Sequence, residues 1–156
     1  MLKKIIGCSG IAILVFFILL QLVPYGRNHT NPPVIKEPAW DSPQTKALAQ
    51  RACFDCHSNQ TVWPWYTNVA PFSWLVQRDV DEGRGRLNFS ECGVPRSRGR
   101  EGGEDREGGE GTEEIAEQVL RGSMPPAQYT IIHAAARLTA AERQALAQGL
   151  TVSPCN

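Results

Sequence analysis

Cys53-Phe54-Asp55-Cys56-His57 spells C-x-x-C-H, a spacing that can fix a haem covalently. Each cysteine sulfur would add across one haem vinyl group as a thioether, and two intervening residues let both sulfurs reach neighbouring vinyls. The histidine follows directly, so its imidazole falls under the iron as the proximal ligand. Three other chemistries share part of the pattern. A thioredoxin-like dithiol opens a helix after a β-strand, whereas Ala47 to Ala52 reads as helix and no βαβ pattern follows. Half of a zinc site would need a second ligand pair, and none has suitable spacing. A structural disulfide or a pair of thiols is the third. The motif is read as haem attachment, with one covalent haem c per chain.

An iron held by His57 has one more axial position. The chain has two methionines, and Met1 precedes an apolar run that sets it apart from the motif. Met124, in Ser123-Met124-Pro125-Pro126, is therefore the thioether candidate for the distal ligand. A His/Met pair raises the reduction potential, as in electron-carrying cytochromes c. The competing reading of Met124 is a side chain packed in an apolar pocket. His133 is the alternative distal ligand and would give a lower potential. His29 is expected to be solvated. The four tryptophans fall between Trp40 and Trp74. They and Tyr66 either wall a porphyrin or form an ordinary aromatic core. Arg51 and Arg78 either meet propionates or face water.

These residues must be positioned by helices. Met1-Leu2-Lys3-Lys4 is a basic start and Ile5 to Val23 is almost wholly apolar, which predicts a membrane anchor or signal over 1–23. No small-residue cleavage site follows Val23, so a retained anchor is expected, with Lys3 and Lys4 cytoplasmic and the remainder outside. Residues 24–40, with Pro32, Pro33 and Pro38, read as an extended tether. Ser42 and Pro43 predict a helix start, with the helix running to about Phe54. Pro71 opens another with Phe72, Leu75, Val76 and Val80 at helical spacing, closed by Gly83. Gly93 to Gly111 is almost entirely small or charged and reads as a disordered insert. Thr112 is expected to cap a helix that Gly122 closes. The capping box Thr139-x-x-Glu142 predicts a last helix to about Gln148, with 151–156 a tail. No segment reads convincingly as strand.

The formal net charge is zero and charges of both signs are interspersed, so nothing suggests a nucleic-acid partner. With Cys53 and Cys56 on haem and Cys8 in the apolar run, Cys92 and Cys155 are left over. An oxidising compartment would let them pair, provided that the fold brings their Cα atoms close enough.

Residues 39–91, above all Trp40 to Thr45, Cys53 to Ser58, Trp63 to Tyr66 and Leu87 to Ser90, resemble the bacterial haem-binding domain family. Gly122 to His133 and Ala136 to Thr139 look like its second half, including Met-Pro-Pro. Members are membrane-anchored, cytochrome-c-like monohaem proteins. The resemblance implies thioethers at Cys53 and Cys56, a proximal ligand at His57 and a distal one at Met124. Cys92 to Gly111 departs from the family pattern, which leaves Cys92 without an implied role.

The expectation is an all-α, small cytochrome-c-like helical domain around one haem, over 41–150, preceded by an N-terminal transmembrane helix. Its expected work is one-electron transfer with redox partner proteins at the periplasmic face of the cytoplasmic membrane, without enzymatic activity. The alternatives are a haem-based sensor, or a peroxidase-type enzyme with His133 as distal acid–base group.

Overall fold

Capping chemistry sets the helix starts. The Ser42 side chain accepts the Thr45 backbone N–H with Pro43 in the first turn. Thr139 and Glu142 exchange both hydrogen bonds of a capping box. The Thr139 backbone N–H first, and then Arg51, hold the Glu142 carboxyl down at about 2. The structure, a computed structural model, describes residues 2–94, 108–153 and 155. Its helices are α1 (Leu2–Leu20), α2 (Pro43–Ala52), α3 (Phe54–His57), α4 (Phe72–Arg86), α5 (Gly108–Leu120), α6 (Ala127–Ile132) and α7 (Ala140–Val152). Single 3₁₀ turns cover Trp65–Asn68 and Ala134–Ala136. Among the described residues, β pairing is confined to an isolated parallel bridge between Lys36 and Glu91. The fold is all-α.

The chain forms two units, one of residues 1–30 and 63–80, the other of 31–62 and 81–156, with α4 contributing to both. In the first unit the Gln21 side-chain amide pairs both ways with the Ala70 backbone. His29 stacks on Trp63, and its Nε2 meets the Thr67 carbonyl. α1 leaves Ile11, Ile13, Leu14 and Phe16 exposed. Among the described residues no helix is long and apolar enough to cross a membrane. The 19 residues of α1 reach about 28 Å at ~1.5 Å each, just under a ~30 Å hydrocarbon core.

The second unit holds the core. Leu48, Ala49, Phe54, Leu87, Phe89, Val119, Leu146 and Leu150 bury against one another. α5 and α2 both pack on α7. Gly149 permits the second of these approaches, because a Cβ there would run into the Thr45 side chain. The extended residues before α2 are held in this unit. Ile35 and Lys36 donate to the Ser90 carbonyl, and Cys92 N–H returns to the Lys36 carbonyl.

Several expected boundaries move. The helix from Pro43 stops at Ala52, because Cys53 (φ −125°) breaks it and α3 restarts at Phe54. α4 does not close at Gly83 but continues to Arg86. α5 begins at Gly108, ahead of the expected Thr112 cap. Its packing on α7 through Ala116 and Val119 favours propagation of the helix backwards. α7 runs past Gln148 to Val152. α6 was not anticipated. Of the expected disordered insert over 93–111, residues 95–107 lie outside the described residues.

Candidate functional site

A single turn carries the motif. Cys53 caps α3, and its carbonyl accepts the N–H groups of Cys56 (3.2 Å) and His57 (2.9 Å). Residues 53, 56 and 57 thus stand at i, i+3 and i+4, which share one face of a helical turn. Phe54, 4% exposed, anchors the turn from within. Its ring lies 5.7 Å from that of Phe89 and 6.2 Å from that of Trp40. The Ser58 hydroxyl closes the turn onto the Phe54 carbonyl at 2.8 Å.

The end of α4 orients His57. Its Nδ1 lies 3.0 Å from the Gly83 carbonyl and 3.2 Å from that of Leu87. A carbonyl only accepts, so Nδ1 carries the proton and Nε2 the lone pair. Among the described residues Nε2 makes no hydrogen bond. Burial pushes the imidazolium down, partly offset by these two carbonyls, and so favours the neutral ring that a metal needs.

Gly83 is a site residue that its place near a helix end disguised. A Cβ there would collide with the Cys56 carbonyl oxygen and sit 3.1 Å from the Cys56 Cβ. The glycine lets α4 lie against the motif and aim its carbonyl at His57. Gly83→Ala is expected to cost about 1–3 kcal/mol from overpacking. The clash is with backbone atoms, which places the cost in the upper part of that range, above alanine's advantage of about 1 kcal/mol as a helix former. Urea unfolding of the full chain checks it, and a variant as stable as wild type would contradict the close-approach role.

The cysteines divide by chemistry. Cys92 and Cys155 form a disulfide, with Cα atoms 4.6 Å apart, so Cys92 does have a role. Cys53 and Cys56 are outside any disulfide. Burial, and secondly the neighbouring Cys56, push the Cys53 thiol up to about 12. A redox dithiol needs a depressed nucleophile and the opposite environment. Among the described residues no three His, Cys, Asp or Glu side chains cluster as a metal cage, which leaves the zinc reading without its second ligand pair.

Met124 is placed by the end of α5. Gly122 takes φ +72°. Its N–H bonds the Val119 carbonyl, while those of Ser123 and Met124 return to the Gln118 carbonyl. The first two bonds form a Schellman stop. Met124 is half-buried and packs against the cluster that contains Phe54. His133 instead stacks on Tyr129 at 4.1 Å, with Nδ1 at 3.1 Å from the Tyr129 carbonyl. Tyr129 also reaches the motif, donating its hydroxyl to Asp55 Oδ2 at 2.6 Å. No local pattern marks that contact, since 74 positions separate the two.

Trp40 packs in the core and donates to Glu37. Arg51 pairs with Glu142. His29, Trp63, Trp65, Tyr66, Trp74 and Arg78 belong to the first unit, in which Trp65 is 79% exposed.

The donor set fits a haem. Two thiols and an imidazole with its distal nitrogen available share one face, and a helix backbone braces them. A family described as the haem-binding domain matches residues 15–151. No curated protein and no solved structure matches the chain.

Proposed function

This chain belongs to the haem-binding domain family and binds haem, and on that premise we propose that it holds one haem c covalently and carries single electrons. One observation bears most of the weight. His57 Nδ1–H is pinned by the Gly83 and Leu87 carbonyls, which leaves the lone pair on Nε2, on a turn that also carries Cys53 and Cys56. The two sulfurs would form the thioethers and Nε2 would take the proximal position. Met124 Sδ would take the distal one, held by the proline-stiffened segment after α5. The bound group supplies the one-electron couple of its iron. The chain contributes attachment, ligand orientation through α4, and an apolar wall built on Phe54. The resulting domain is read as cytochrome-c-like, and as an electron carrier, not an enzyme.

Two observations support a reading of location. The Cys92–Cys155 disulfide suits an oxidising compartment. The exposed Ile11, Ile13, Leu14 and Phe16 of α1 suit a lipid surrounding. We read the protein as anchored in a bacterial cytoplasmic membrane, with the haem domain on the periplasmic side and redox proteins as partners.

Met124→Ala tests the ligand assignment. Wild type is expected to show a low-spin spectrum with the weak methionine-to-iron charge-transfer band. The variant should lose that band, become high-spin and bind carbon monoxide when reduced. An unchanged resting spectrum would rule Met124 out, in favour of a sensor with an open sixth position if it is high-spin and of another distal ligand such as His133 if it is low-spin.

A further inference from the structure

Asp55 lies between the two motif cysteines, where the attachment chemistry makes no demand on residue type. Here both of its carboxylate oxygens are engaged. Oδ1 accepts the Val62 N–H at 3.0 Å, which fixes the loop leaving the motif. Oδ2 accepts the Tyr129 hydroxyl at 2.6 Å, within the range of a charge-assisted bond. Tyr129 stands in the first turn of α6, and Pro125 and Pro126 separate that helix from Met124. Each proline fixes its own φ, so the path from Tyr129 back to Met124 has little freedom. His133 steadies the tyrosine from its other side, by ring stacking and a bond to its carbonyl.

We propose that Asp55 and Tyr129 form a latch that holds the Met124 segment to the turn bearing Cys53, Cys56 and His57. Tyr129 is thereby a positioning residue for the distal ligand. This rests on the reading of Met124 as that ligand. The latch is a hydrogen bond between the two segments, so losing it would make a ligating Met124 sulfur easier to displace. His133 has a task as well, as the brace of Tyr129 in place of the iron ligand that it could have been.

Imidazole titration of the full-length, haem-loaded protein tests the latch, with the methionine charge-transfer band as readout and urea unfolding measured in parallel. Tyr129→Phe keeps the ring and its stacking but removes the hydroxyl. Imidazole is expected to displace Met124 about tenfold more readily, the usual effect of losing a bond to a charged group. Asp55→Asn is the second variant, and serves if the first does not fold. Because both act through one bond, the double variant should be no weaker than the more affected single one. Wild-type imidazole affinity in both variants would overturn the latch, even if urea stability fell. Additive effects would also overturn it. A wild-type protein without the methionine band, and with the same spectrum as Met124→Ala, would overturn the ligand assignment and the latch together.

Discussion

Full-length protein with both Cys53→Ser and Cys56→Ser is expected to give up all its haem to denaturing extraction, whereas wild type keeps it. Serine preserves size but cannot form a thioether, so only axial ligation and packing remain. Axial ligation depends on the fold, because His57 Nδ1 is held by the carbonyls of Gly83 in α4 and of Leu87 just after it, 26 and 30 positions away in the chain. Denaturation removes those carbonyls and with them the hold on the iron. Each single variant should retain haem through one thioether. One vinyl group then stays conjugated with the ring, and the main visible band of the reduced form should move to longer wavelength. Absorption of the extracted chain, reduced and oxidised, reads all three variants. Haem retained by the double variant would place the attachment elsewhere.

The second large effect concerns Cys92 and Cys155. Their bond closes a loop across 63 positions, spanning α5, α6 and α7. In the chain-entropy account, a cross-link of that length restricts the unfolded chain by about 4 kcal/mol. Cys92 is buried beside Asn88 and Phe89, so the bond fastens the segment after α4 to the end of α7. Replacing both cysteines by serine should therefore lower unfolding free energy by an amount near that figure. Urea denaturation measures it, and a mild reductant applied to wild type should reproduce the loss. A double variant with the wild-type midpoint would mean that the bond contributes nothing to the folded state.

Local signals were read well where one residue type has one physical use. Ser42-Pro43 and Thr139-x-x-Glu142 start helices because their side chains satisfy the first backbone N–H groups, and both do so here. Gly122 stops α5 as expected, through its positive φ. Gly83 was misread because glycine serves two purposes, ending helices and permitting close approach, and only the presence of Cys56 across from it decides between them. α6 escaped because its start is Pro126, which has no capping side chain to announce it. The C-x-x-C-H motif was legible at once as a donor set. Its bracing was not, since the Gly83 and Leu87 carbonyls carry no side-chain signature. The Tyr129–Asp55 bond and the Cys92–Cys155 pair depend on folded distance, which one-dimensional spacing does not encode.

The central claim is a single haem c held by Cys53 and Cys56, with His57 as proximal ligand. Its most direct measurement is the intact mass and absorption spectrum of the full-length chain, produced alongside a c-type maturation system and freed of loose haem under denaturing conditions. One haem retained per chain is the expected result. Before denaturation the spectrum should be low-spin in both ferric and ferrous forms. A chain at its bare polypeptide mass after extraction would contradict it, and would leave Cys53 and Cys56 as a dithiol.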